Sequence, residues 1–175
     1  MARAFFNLLS VQMQLVSGGW LGLNAFMSNI YSSRVLELAS DIHHIGDLAP
    51  MGAGLIGQSK KVSKLCGSEI ELSLQLDDTG EKVVAFAIHP KACALGQASA
   101  AVLSQHIIGA DIKEVQNARD ELRAMLKENG APPAGRFWEL RYLEAVADYP
   151  PRHTSTLLAW EAALDAIEKA KTNEI

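Results

Sequence analysis

The clearest pattern in the chain lies at residues 68–77, where Ile70, Leu72, Leu74 and Leu76 take every second position and polar residues fill the gaps. A period of two predicts a half-buried strand. Asp78, Thr79 and Gly80 supply a turn, and residues 82–88 return as the second arm of a hairpin. That arm is expected to stop at His89-Pro90, because proline donates no ladder hydrogen bond. Upstream, the glycine-rich stretch 51–57 lacks the G-K-[ST] ending of a phosphate loop and reads as a loop or an edge strand.

Elsewhere the apolar spacing is helical. Ser32 or Ser33 caps a helix whose apolar face holds Val35, Leu36, Leu38, Ala39, Ile42 and Ile45, with Gly46 as its stop. A second helix starts just after Cys93, and its small residues Gly96, Ala98, Ser99, Ala100 and Ala101 suit close approach to a sheet. Asp111 and Glu114 form a capping-box pair before a third helix that ends at Gly130. Pro132-Pro133 breaks the chain, a short helix carries Phe137, Trp138, Leu140, Tyr142, Leu143 and Val146, and a last helix runs from about Arg152 towards Lys171.

With 175 residues, 49% of them hydrophobic, the chain is the size of one ordinary domain with a substantial core. A net charge of −4 with no basic block argues against nucleic-acid binding. The first 26 residues differ: Arg3 is their one charged side chain, yet Asn7, Ser10, Gln12, Gln14 and Ser17 interrupt any membrane span or signal-peptide core. They are expected to form a poorly packed extension, with Met27 as the natural start, residues 27–175 as the domain, and no stable membrane span.

Cys66 and Cys93 are the two cysteines, too far apart for a C-x-x-C motif, which suits a reducing cytoplasm. Cys93 stands where a strand passes into a helix, near unpaired N–H groups and the positive dipole end, with Lys91 close by. Such a position favours thiolate. Cys66 precedes the first hairpin arm and Cys93 follows the second, so the two thiols should converge at one end of the sheet. The competing reading makes Cys93 a small buried hydrophobe. His43 and His44 read as structural, at a helix C-terminus. No Ser/His/Asp arrangement or paired-carboxylate spacing suggests a conventional enzyme.

Taken in order, Tyr31-x-x-x-Val35-Leu36, the glycine-rich stretch, Cys66-Gly67, the two strands, Ala92-Cys93-Ala94 and Arg152-x-x-Ser155-x-x-Leu158-Ala159-Trp160-x-Ala162 resemble the NifU/IscU/SufU family of iron–sulfur cluster scaffolds, over roughly residues 29–170. The resemblance implies an α+β fold of NifU-like and SufE-like type: a small antiparallel sheet of about three strands with four to five helices packed on it. It implies Cys66 and Cys93 as metal ligands or sulfur acceptors. It also implies a [2Fe–2S] cluster, iron or zinc as cofactor, and a cysteine desulfurase and cluster-accepting proteins as partners. Ser155 falls where the family has a third cysteine, Ser68 where it has an aspartate, and Ala92 where it usually has glycine; its H-Y-x-N-P-R-N signature is absent around His43 and His44. A serine hydroxyl is a poor ligand to iron or zinc beside a thiolate. His153 is the residue available to compensate, as a third ligand, with Asp148 a weaker one. The alternative function is a metal-free interaction protein that keeps the scaffold fold.

Overall fold

The computed structural model describes residues 30–64 and 66–172. The expected extension and its start at Met27 lie outside them. Within the described residues the order is α1 (Ser33–Ser40), β1 (Leu55–Val62), β2 (Glu69–Leu76), β3 (Val83–Lys91), α2 (Ala94–His106), α3 (Ile112–Lys127), a 3-10 segment (Gly135–Asp148), a single 3-10 turn (Pro150–Arg152) and α4 (His153–Thr172). The strands form one antiparallel sheet in the order β1-β2-β3.

The central strand β2 is the alternating stretch. Ile70, Leu72, Leu74 and Leu76 are all within 1% of full burial and face the helices, where Leu72 pairs with Ile88 and Leu74 with Phe86 across the ladder. Strand β3 runs through Pro90 rather than stopping before it. The N–H of Ile88 points away from β2, to the carbonyl of His44, and Pro90 two residues on has the same orientation. Its missing donor therefore faces the edge, where proline is tolerated.

Strand β1 extends the glycine-rich stretch as an edge strand, and its inward positions Gly57, Ser59 and Lys61 are small or polar because α4 lies so close. A Cβ on Gly57 would run into the carbonyl oxygen of Ala166 and come within 2.7 Å of the Ala170 nitrogen. In place of apolar contact, Asp165 of α4 takes a hydrogen bond from the Ser59 hydroxyl at 2.6 Å and an ion pair from Lys61 at 2.8 Å. The preceding loop is fixed by the buried Gln75 amide, which accepts from the Met51 N–H at 2.7 Å and donates to the Met51 carbonyl at 3.1 Å.

Two helix ends differ from the sequence reading. Helix α1, capped by Ser32, ends at Ser40, so Ile45 lies beyond it and is 64% exposed, while Leu36, inside the helix but off its buried face of Val35 and Leu38, is 49% exposed. His43 and His44 follow the helix instead of finishing it; the His43 N–H is held by Ser104 and His44 adopts a positive φ of 57° while bonding to β3. Helix α3 keeps its capping box, the Glu114 carboxylate accepting from the Asp111 N–H at 2.9 Å, but terminates through Asn129, at φ 54°, one residue before Gly130.

The small face of α2 receives α4 more than the sheet. Ser99 donates to the Thr156 carbonyl at 2.6 Å and accepts from the Trp160 indole at 3.0 Å, and Trp160 meets Phe137 edge to face at 4.9 Å. These contacts lay the first half of α4 along the first half of α2.

Candidate functional site

Three pieces of chain meet at the β1–β2 turn end of the sheet. The turn itself is closed by the Ser63 N–H on the Ser68 carbonyl at 2.8 Å and the Gly67 N–H on the Ser63 carbonyl at 2.9 Å. Gly67 takes the left-handed conformation, φ 68°, that lets the chain reverse directly after Cys66. Glu69 and Lys91 are the last ladder pair at this end, so Cys66 just before the one and Cys93 just after the other are brought side by side.

Helix α2 begins with Cys93 as its N-cap residue, in extended conformation and with no side-chain cap hydrogen bond, which leaves the thiol free to turn towards α4. The close approach depends on Gly96. A Cβ there would lie 3.1 Å from the Ser155 carbonyl oxygen and 2.9 Å from the Ala92 Cβ. Ser155, 1% exposed, anchors its hydroxyl on the Arg152 carbonyl at 3.0 Å and lies 3.6 Å from the Cys93 sulfur. The same hydroxyl is near enough to Cys66 to help lower its pKa. Both thiols, each half-buried, thus lie beside one side chain.

Cys66 is ringed by hydroxyls: Ser63 Oγ at 3.2 Å and Ser68 Oγ at 3.1 Å, besides Ser155. Burial pushes the Cys66 pKa up. The hydroxyls of Ser63 and Ser68, the Ser68 backbone and the Ser155 hydroxyl outweigh it and bring the thiol down from 9.0 to about 7. The sequence reading singled out Ser68 and Ser155 but missed Ser63. A serine three residues before a cysteine is an ordinary turn residue until the loop is seen to close on itself.

His153 is placed differently from its neighbours in sequence. Its imidazole is 8% exposed, with Nε2 3.1 Å from the carbonyl oxygens of both Val146 and Ala147, a donor position that ties α4 to the preceding 3-10 segment. It stands two helical steps before Ser155, a rotation of about 200°. Among the described residues no group of three or more His, Cys, Asp or Glu side chains is placed to hold a metal ion. Two thiols fill half of a tetrahedral shell, so the donor set does not fit a resident zinc ion.

A three-stranded antiparallel sheet backed by helices, with two cysteines at one sheet end, defines a small α+β protein. The NifU-like N terminal domain family matches residues 30–156, and the chain belongs to that family. Among solved structures, a nitrogen-fixing NifU-like protein (N-terminal) from Brucella abortus is 44% identical, with a TM-score of 0.77 over 84% of this chain and 98% of that one. The iron–sulfur cluster assembly scaffold protein IscU of Thermotoga maritima is 28% identical over 140 residues, 80% of this chain and 94% of the relative. The zinc-dependent sulfurtransferase SufU of Bacillus subtilis is 24% identical over 152 residues, 85% and 97% of the two chains. The expected fold class and family are thereby borne out, and the name of the Thermotoga relative describes a scaffold rather than an enzyme.

Proposed function

We propose that this chain acts in iron–sulfur cluster assembly as a scaffold-type protein, with Cys66 and Cys93 as the groups that take up sulfur from a cysteine desulfurase and pass sulfur or a nascent [2Fe–2S] cluster to client proteins. The observation that carries the proposal is the meeting of both half-buried thiols on the Ser155 hydroxyl at one open end of the sheet. Family membership supports the same reading. Iron and the cluster are cargo here. With two thiolates on this chain, the remaining donors to iron come from outside the described residues, for which an exchanging partner is the natural source. We include Ser155 in the site as a hydrogen-bonding group and leave His153 out as a ligand, because its Nε2 is engaged on backbone carbonyls. Free thiols at work require a reducing compartment, and we assign the protein to the cytoplasm on that ground. No helix among the described residues is long and apolar enough to cross a membrane.

The experiment is anaerobic reconstitution with iron, cysteine and a cysteine desulfurase, followed by transfer to an apo-ferredoxin-type acceptor. The full chain should accelerate transfer, and Cys66→Ser or Cys93→Ser should abolish the acceleration. A second reading has its own observation: serines stand at both positions where the family pattern has a third cysteine and an aspartate. If the protein is a metal-free interaction module, desulfurase binding survives in the Cys66→Ala, Cys93→Ala double variant and no acceleration is seen with the parent.

A further inference from the structure

Two free hydroxyls beside one sulfur make a setting for a negative charge on that sulfur. The Ser63 and Ser68 hydroxyls, at 3.2 and 3.1 Å, can both turn their O–H towards an anionic sulfur, whereas a carboxylate at either place would repel it; the Ser155 proton is engaged on the Arg152 carbonyl. Cys93 has a different environment, with the Ser155 hydroxyl at 3.6 Å as its side-chain neighbour. The two thiols are thus unequal: one sits in a cradle of donors, and the other stands beside it across a shared hydroxyl.

We propose that Cys66 is the persulfide-bearing residue, that Ser63 and Ser68 position its anionic sulfur without any metal ion, and that Cys93 then releases the bound sulfur as sulfide. The inference rests on the sulfur-handling reading above and names the chemistry of each thiol. In the first step the Cys66 thiolate attacks the outer sulfur of a donor persulfide, R–S–SH. The donor S–S bond breaks, R–S⁻ leaves, and Cys66–S–SH forms with no net oxidation. In the second step the Cys93 thiolate attacks the inner sulfur of Cys66. The Cys66–Cys93 disulfide forms, HS⁻ departs, and the two electrons that reduce the transferred sulfur to sulfide come from the two thiols. An external dithiol reductant restores the pair for another round.

The geometry suits this order. An attack by Cys93 needs it next to Cys66 yet outside the hydroxyl cradle, and the Ser155 hydroxyl marks that boundary, 3.6 Å from the Cys93 sulfur and near enough to Cys66 to help lower its pKa. The Ser155 side chain is itself held by the Arg152 carbonyl, so the boundary is part of the first turn of α4. Sulfide is the oxidation state a cluster requires. A chain with two thiols and no third ligand among its described residues could supply it without holding iron.

The test uses the full-length reduced protein, freed of metal by a chelator that stays present, with glutathione persulfide as the donor. Parent protein should release one equivalent of sulfide and lose the mass of two hydrogens, with peptide mapping locating a Cys66–Cys93 disulfide. Cys93→Ser should stop with one added sulfur atom on Cys66 and release no sulfide above the protein-free rate; Cys66→Ser should do neither. Ser63→Ala and Ser68→Ala should each slow loading by about tenfold, the effect of losing one hydrogen bond to a charged group, with unchanged circular dichroism. Added sulfur on Cys93 in the Cys66→Ser protein, sulfide release by Cys93→Ser at the parent rate, or loading that requires zinc would each overturn the proposal. Failure to load from glutathione persulfide alongside intact desulfurase-dependent cluster transfer would overturn this inference while leaving the scaffold function standing.

Discussion

At the Cys66 sulfur, burial and hydroxyl hydrogen bonds pull in opposite directions, and the hydroxyls win. The consequence is measurable. A pKa brought down from 9.0 to about 7 leaves the thiolate populated above neutral pH, so alkylation of Cys66 by iodoacetamide in the Cys93→Ser protein should show an inflection near pH 7. Ser68→Ala should move that inflection upward; an unchanged profile would mean that Ser68 does not donate to the sulfur. Ser155 offers a complementary prediction at the same scale, because its Oγ occupies the place where a sulfur would reach both Cys66 and Cys93. Ser155→Cys is expected to raise zinc affinity at least tenfold, since a third thiolate supplies charge and a soft donor together, and Ser68→Asp should raise it further. Competition titration with a chromophoric zinc chelator reads both. A double variant that folds yet binds zinc no better than the parent would show that the four donors at these positions do not close on one ion.

At the scale of elements, the way α4 lies across β1 is decided by one glycine. Gly57 has no room for a Cβ against the Ala166 carbonyl and the Ala170 nitrogen, and these obstacles are backbone, which cannot rotate aside. Gly57→Ala should therefore cost about 3 kcal/mol or more, in the range of overpacked cores, seen as a fall in the urea midpoint. Gly96→Ala meets a methyl and a carbonyl at the α2–α4 contact instead, and should cost less while pushing Cys93 away from Ser155. The same close packing explains what could be read from the chain. Strand β2 was legible because its inward residues are Ile70, Leu72, Leu74 and Leu76, and α2 because its small residues follow Cys93 without a break. Much of β1 was not, since Gly57, Ser59 and Lys61 carry no apolar alternation when a helix backbone occupies the space that side chains would fill. Helix α1 was read too long for the opposite reason: Ile42 and Ile45 continue its spacing, while the chain leaves the helix at Asp41 to add His44 and Gly46 to the edge of β3. The convergence of the thiols followed from the hairpin alone. Ser63 and the orientation of His153 depended on how a turn and a helix cap close, which no spacing encodes.

For the molecule as a whole, two carboxylates clamp the layers, and both are held below their ordinary range. Glu139 of the 3-10 segment, 6% exposed, is flanked by His106 of α2 at 3.1 Å and by Arg34 of α1. Burial pushes its pKa up, and the hydrogen bonds from His106 and Arg34 bring the balance down. Asp165 joins α4 to β1 in the same manner: burial opposes ionisation, but Lys61, Ser59 and Lys169 overcome it and lower the pKa from 3.8 to about 2. A carboxylate whose pKa is depressed by folding lends its full stabilisation above the unfolded value and loses it as pH falls through the folded one. The contribution of Asp165 is thus complete above about pH 4 and gone below about pH 2. Its size is roughly 1 to 2 kcal/mol, the shift converted at about 1.4 kcal/mol per unit and reduced because both lysines are partly in water. Urea midpoints of the parent and of Asp165→Asn should therefore differ most near pH 6 and approach each other as the pH is lowered towards 2. Raising the salt concentration at pH 6 should narrow the gap only in part, because the Ser59 hydrogen bond at 2.6 Å is not screened as the lysine pairs are. A constant difference across the whole acid range would assign the effect of the substitution to packing rather than to charge, and the clamp between α4 and β1 would then rest on Gly57 alone.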